Sequence, residues 1–196
     1  MSKKIFNPVL FFSTVVLFFL FVSGIKAQNG NEKKPEVRIS PKASVSQIIG
    51  FTEVTISYSR PGVKNRKIWG GLVPYDKIWR TGANEATKIT FSKDVTIDGK
   101  KLPAGSYAFF AIPTPQEWTL IFNKVSDQWG AFTYNETQDA LRIKVKPVAN
   151  NFHEWLEYTF SDMKVQKAGM KNSAVINLVW EKLRVPFTVA AETSAK

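Results

Sequence analysis

Along most of the chain, apolar and polar residues exchange places at every step, the period of a pleated strand with one buried face. Val54, Ile56 and Tyr58 alternate with Thr55, Ser57 and Ser59, and Thr87, Ile89 and Phe91 alternate with Lys88, Thr90 and Ser92. Val95 and Ile97 run into Asp98-Gly99, a dipeptide that accepts the positive φ angles of a tight hairpin, and Lys101 and Leu102 return. Residues 106–112 (SYAFFAI) are apolar almost throughout and read as a central strand, ended by Pro113 and Pro115. Three alternating sets follow: Trp118, Leu120 and Phe122; Leu141, Ile143 and Val145; Leu156, Tyr158 and Phe160. Ala174 to Trp180 and Val185 to Val189 close the series. Helical periodicity is weak and leaves only residues 45–49 and 125–129 as places for a turn of helix. About nine to ten short strands separated by turns predict an all-β fold, an antiparallel, jelly-roll-like β-sandwich. A closed β-barrel is the alternative, because alternation does not say whether the first and last strands pair.

The alternation has one long gap. Residues 60–86 (RPGVKNRKIWGGLVPYDKIWRTGANEA) crowd Gly, Pro, Trp, Tyr and basic residues together without a regular period. A long irregular crossover of this kind either wraps the core or carries function. Guanidinium groups beside aromatic faces hold sugars and anions through bidentate hydrogen bonds and stacking. On that ground Arg60, Lys64, Arg66, Trp69, Tyr75, Trp79, Arg80, Thr81, Asn84 and Glu85 are the candidate ligand-binding residues. The competing reading makes Trp69, Tyr75 and Trp79 plugs under the crossover, with the cations in solvent. In that reading Glu85 pairs with Arg80 or caps backbone N–H groups. A turn built from Arg80, Thr81, Asn84 and Glu85 is costly to bury unless every polar group is paired. These residues are therefore expected to form a satisfied network at the mouth of a pocket or groove.

Composition adds a location. The 196 residues, 44% of them hydrophobic, suffice for one domain with a sizeable core, placed at residues 40–190. Ahead of it, Lys3 and Lys4 precede an uncharged apolar run from Val9 to Val22, which ends near the small residues Gly24 and Ala27. A run of about 14 residues suits a signal peptide and falls short of a bilayer span. Residues 1–27 are thus read as a signal peptide cleaved after Ala27 or Gly24, residues 28–39 as a flexible leader, and 191–196 as a frayed tail. The mature chain is expected in the periplasm or outside the cell, and not to span a membrane. Removing residues 1–27 takes away Lys3, Lys4 and Lys26 and no acids, so the net charge falls from +11 to +8. A basic exported domain is expected to meet glycans, peptides or anionic envelope polymers rather than nucleic acid; the competing reading, which the dispersed lysines favour, makes the charge a matter of solubility alone. The absence of Cys leaves stability to the core alone.

The same residue inventory narrows the chemistry. With one His (His153) and no Cys, zinc sites of the usual ligand sets and a Cys nucleophile are excluded. No G-x-S-x-G turn presents a serine, and no phosphate-binding glycine loop is present, so no cofactor is expected. Asp94, Asp98 and Asp127 lack the spacing of a calcium loop. Asn135-Glu136-Thr137 is a glycosylation sequon, relevant only to a eukaryotic secretory route. Paired carboxylates remain available, since glycoside hydrolysis needs only two acids about the scissile bond. The expected function is a non-enzymatic ligand-binding or scaffold domain of the envelope. The alternative is a carboxylate-dependent hydrolase of carbohydrate that uses Glu85 with a partner such as Asp76.

The stretch SRPGVKNRKIWGGLVPYDKIWRTGANEATKITFSKDVTIDGKKLPAGSY, with WTLIFNK, WGAFTY, LRIKVKP and LVWEKLRVPF after it, closely resembles DUF2911, a family of bacterial exported proteins of unknown function. The resemblance runs from about residue 40 to residue 187, and WRTGANEAT (79–87) and LPAG-x-Y (102–107) are the segments that make chance a poor explanation. It implies a secreted or periplasmic β-rich domain and no particular reaction. The family pattern usually carries Gly where Asn65 and Asp76 stand, both at loop positions.

Overall fold

The computed structural model describes residues 37–165 and 172–191. The expected signal peptide, the leader before residue 37 and residues 192–196 of the tail lie outside the described residues. Ten strands form in chain order: β1 (Lys42–Ile49), β2 (Thr52–Ser59), β3 (Thr87–Phe91), β4 (Val95–Ile97), β5 (Lys100–Leu102), β6 (Gly105–Ile112), β7 (Trp118–Asn123), β8 (Asp139–Val145), β9 (Val148–Lys164) and β10 (Asn172–Ala191). They build two antiparallel sheets, one ordered β1-β2-β3-β6-β7-β8 and the other β5-β4-β10-β9. The molecule is therefore a β-sandwich, and the closed barrel is set aside. Neighbours in the larger sheet follow chain order except between β3 and β6, where the β4–β5 hairpin crosses to the second sheet and β4 pairs with β10; the chain crosses to that sheet again between β8 and β9.

Period-two alternation places the core where the pattern predicts. Val54, Ile56, Ile89, Phe91, Phe109, Phe122, Ile176, Leu178, Phe187 and Val189 are buried between the layers. Phe109 of the larger sheet meets Phe187 of the smaller at 5.4 Å between ring centroids, and Tyr58 meets Tyr158 edge-on at 4.8 Å. Asp98 and Gly99 turn the β4–β5 hairpin with φ of 44° and 82°, and Asp98 Oδ1 also accepts from the Thr188 backbone N–H.

Three expectations change. Residues 45–49 are strand and not helix: β1 pairs along its length with β2. Its inward row of Ala43, Val45, Gln47 and Ile49 includes a polar residue at the sheet's edge, which blurs the contrast that marks a strand. Residues 125–129 form an irregular loop, and the only helix among the described residues is a 3-10 turn at Glu136–Gln138 capped by Asn135. That cap accounts for the sequon, since Asn135 Oδ1 accepts from both the N–H and the hydroxyl of Thr137. Finally, the two expected strands after residue 172 are one, with a bulge at Glu181 (φ 54°). Its end, Ala191, assigned to the tail by sequence, is buried and paired with Val95.

The central strand β6 is apolar on both faces because both are covered. Tyr107, Phe109 and Ala111 face the inter-sheet core. Ala108 and Phe110 face outward into a second cluster with Ala86 and Ile121, roofed by Ala131 and Tyr134 of the loop after β7. That loop is pinned by Asn123, whose amide donates to Asn135 O (2.9 Å), and by Tyr134, whose hydroxyl donates to Asp139 (2.7 Å).

The crossover between β2 and β3 is an ordered plug. Gly62 bridges Trp155 of β9, Trp79 bridges Ala111 of β6 and Glu85 bridges Trp129 of the roofing loop. Between these ties it delivers Ile68, Trp69, Val73 and Trp79 to one end of the core. There Trp79 stacks on Trp180 (6.0 Å, 17°), while Trp69 sets its edge against Trp79, Trp118 and Trp180 at 4.9–5.7 Å.

Candidate functional site

On the outer face of the larger sheet, cross-strand register aligns Ser44 of β1, Ser57 of β2 and Lys88 of β3 in one row. Ala131 and Tyr134 of the roofing loop pack on Ala108 and Phe110 of β6, and residues 126–129 of the same loop meet the row from the side. What remains between loop and edge is an open groove of about 750 Å³. Lys42, Ser44, Ser57, Ser59 and Lys88 of the strands, Glu85 of the crossover, and Asp127, Gln128 and Trp129 of the loop line it, with Ala43, Tyr58, Ala86 and Ser126. Trp129 is 59% exposed, unusual for so large an apolar ring.

The groove's charges are held in pairs. Arg38 donates from Nη1 and Nη2 to the two oxygens of Glu85 at 2.7 and 2.8 Å, and Lys42 Nζ adds a third contact at 3.1 Å. The Arg38 hydrogen bonds, before all else, draw the Glu85 carboxyl down to about 2. Lys88 Nζ lies 2.7 Å from Asp127 and lowers that carboxyl as well. The Glu85 pairing predicts a specific acid sensitivity. A carboxyl depressed in the folded state contributes stability above its unfolded pKa, and that contribution is lost as pH falls from about 4.5 toward about 2. With the carboxylate one-third exposed, solvent screening reduces the effect to about 1 kcal/mol. Urea titrations of the native protein and Glu85→Gln across that window are expected to converge at the acid end.

The residues singled out by sequence have different fates. Trp69 and Trp79 point into the tryptophan cluster, so their faces belong to the core and not to a binding surface. Tyr75 is half-buried with its ring over Gly70, where a Cβ would stand only 2.7 Å from it. Arg60 donates to Leu156 O and Glu157, and Arg66 to the carbonyls of Gly62 and Val63. Lys64 lies 5.9 Å over the Trp155 ring, away from the groove. Thr81 is fully buried, donates to Phe109 O at 2.9 Å and accepts at its carbonyl from Thr87 and Tyr158. Asn84 donates to Ser40 O at 3.4 Å. Glu85 alone among the ten lines the groove. The expected Glu85–Arg80 pair is not formed; the partners of Glu85 come from the segment before β2. The expected network is satisfied at Thr81, Asn84 and Glu85 and open at Arg80, whose Nε is buried without an acceptor.

Asp76, offered as a second carboxylate, does not line the groove; the acid that shares it with Glu85 is Asp127. Asp94 accepts from the Ala104 N–H, which, with the roles of Asp98 and Asp127, gives each of the three a structural partner. His153 faces Glu157 at 3.2 Å on β9. Sequence reading missed Lys42, Ser44, Ser57, Lys88, Asp127 and Trp129. One signal was present: Trp129-Gly130 and Phe132 place aromatics in a stretch that no strand period explains.

Asn65 and Asp76 stand in the left-handed region with φ of 56° and 59°, which glycine enters freely and Asn or Asp tolerates best among the rest. Their departure from glycine therefore leaves both turns intact. No curated protein and no solved structure matches the chain. A family model described as a protein of unknown function matches residues 40–189, almost the whole sandwich, and the chain belongs to that family, DUF2911.

Proposed function

We propose that this protein is an exported envelope domain that binds a glycan in the outer-face groove without transforming it. The observation that carries the reading is Trp129, an exposed indole in a groove that serines, lysines and two carboxylates line together with Ala43, Tyr58, Ala86 and Gln128. Sugars are recognised by that combination: an aromatic face for the C–H surface of the ring and fixed donors and acceptors for its hydroxyls. The carboxylates favour binding over hydrolysis. A glycosidase needs one acid held protonated near neutral pH, whereas Glu85 and Asp127 are both drawn downward by their cations. Export rests on the three-zone N-terminus.

The test is a glycan array followed by calorimetry with residues 28–196. Trp129→Ala is expected to weaken the best ligand about tenfold or more, the effect of losing one stacked ring and its buried area. Its melting temperature should stay close to that of the native protein, because the ring is mostly in solvent. An unchanged affinity would place the ligand elsewhere.

A further inference from the structure

We infer that this protein pairs with a second copy of itself along β1, so that the two larger sheets join edge to edge. The strands that end the sheets are β1, β8, β5 and β9, and all but β1 carry features that keep edges apart. β5 is only three residues long and begins with Lys100 and Lys101. β8 bears Arg142 and Lys144 at its exposed positions. β9 shifts register against β10 at several points, and the crossover covers part of its free side: the Val63 N–H donates to Glu154 O, and the Leu156 N–H to Pro61 O. β1 has none of these features. It runs for eight residues (KASVSQII) without a register shift, carries no charge after Lys42, and leaves Ile48 63% exposed.

The hydrogen-bond phase of the β1–β2 hairpin fixes which main-chain groups point outward. The Arg60 N–H donates to Pro41 O, and bonded and non-bonded pairs alternate from there along an antiparallel ladder. Lys42, Ser44, Ser46 and Ile48 therefore turn their N–H and C=O groups away from β2. Glu53, opposite Ile48, correspondingly turns its own groups to Ser92. Among the described residues, the one outward group of this edge with a partner is Ile48 O, which accepts from the Gln47 side-chain amide at 3.0 Å. An antiparallel second copy centred on Val45 meets the whole edge. Lys42 then faces Ile48 of the second copy, and Ser44 faces Ser46 of the second copy. Main-chain bonds of an added strand supply the affinity, and one patch facing itself about a two-fold axis closes the assembly as a dimer. This register sets hydroxyl against hydroxyl, a favourable cross-strand pair, and lays the aliphatic stem of Lys42 beside exposed Ile48. It also holds the two Lys42 residues about 20 Å apart, so no like charges oppose. Because Ser44 lines the groove, Ser46 of the second copy extends the groove's row past the sheet edge.

Sedimentation velocity over a concentration series tests the pairing. Native protein is expected at twice the mass of one chain at about 10 μM and above. Ser46→Pro removes an N–H that points away from β2, so the hairpin keeps its ladder and the variant should fold but stay a monomer. The register has its own readout, because the chain contains no Cys. Residue 45 would stand opposite itself in a non-bonded pair, with Cα atoms about 4.5 Å apart, a distance that a disulfide spans. Val45→Cys is expected to give a disulfide-linked dimer on mild oxidation, whereas Ala43→Cys, offset along the strand from its own copy, should not. Native protein that remains a monomer overturns the inference, whatever else binds the edge. A dimer that persists in Ser46→Pro, or that Val45→Cys fails to link, overturns it too, since the contact then lies elsewhere. The native measurement decides the matter even where a variant does not fold.

Discussion

Trp180→Ala is expected to destabilise the domain by about 3–5 kcal/mol, the range for deleting a fully buried large aromatic whose surroundings cannot close the gap. Trp180 is 1% exposed on β10, stacks on Trp79 and meets the edge of Trp69 at 5.7 Å. Two of its neighbours come from the crossover, which has no ladder of its own and takes its place from what it packs against. Emptying the Trp180 site therefore unseats Trp69 and Trp79 together. Urea unfolding measures the loss, and hydrogen exchange locates it: protection should fall first at the Trp79 and Ala111 amides, which hydrogen-bond across that bridge. Trp180→Phe keeps most of the buried area and should cost well under half as much. A loss below about 1 kcal/mol for the alanine variant would mean that the cluster does not hold the crossover.

Thr81→Val is expected to cost about 2–3 kcal/mol, although it changes one hydroxyl to a methyl at a site with no solvent access. Thr81 is a β-branched residue at φ 51°, a conformation that its side chain disfavours and that persists only under external constraint. Three hydrogen bonds supply the constraint: from its hydroxyl to Phe109 O, and to its carbonyl from Thr87 Oγ1 and the Tyr158 hydroxyl. Burial pushes the Tyr158 hydroxyl well above its ordinary range, so it remains a donor across the working pH. Valine keeps the unfavourable φ and discards the bond that offsets it. Thr81→Gly loses the same hydroxyl but relieves the φ, and should be the milder of the two by chemical denaturation. Because Glu85, which lines the groove, follows this anchor by four residues, Thr81→Val should also weaken any ligand held there.

The candidate site was only partly legible in the sequence. The crossover announced itself by losing its period, and WRTGANEAT contains both Arg80 and Glu85. Its aromatics were equally compatible with a surface and with a plug, because a Trp among cations reads the same in either place. What decided between them was the partner surface: Trp118 and Trp180 lie far along the chain from Trp69 and Trp79, and no local pattern links them. The groove was hidden for a related reason. Ser44, Ser57 and Lys88 look like ordinary outward positions of separate strands and become one row only through register. Arg38 lies in a segment read as a flexible leader, yet its bidentate bond to Glu85 crosses the mouth of the site.

The alternation of side chains, by itself, determined that most of the domain is strand and which faces of those strands are buried, because a pleated chain with one dry face must cover it; whether the strands close into a barrel or stack in two layers was left to the tertiary structure. Composition determined that no disulfide or thiol chemistry supports the fold. Tertiary structure alone decided which strands are neighbours, that β6 is covered on both faces, and that the irregular crossover closes the end of the core. It also decided which charges pair and which cation is left without an acceptor. These outcomes depend on contacts between residues distant in sequence, and local periodicity carries information only about a residue's own neighbours.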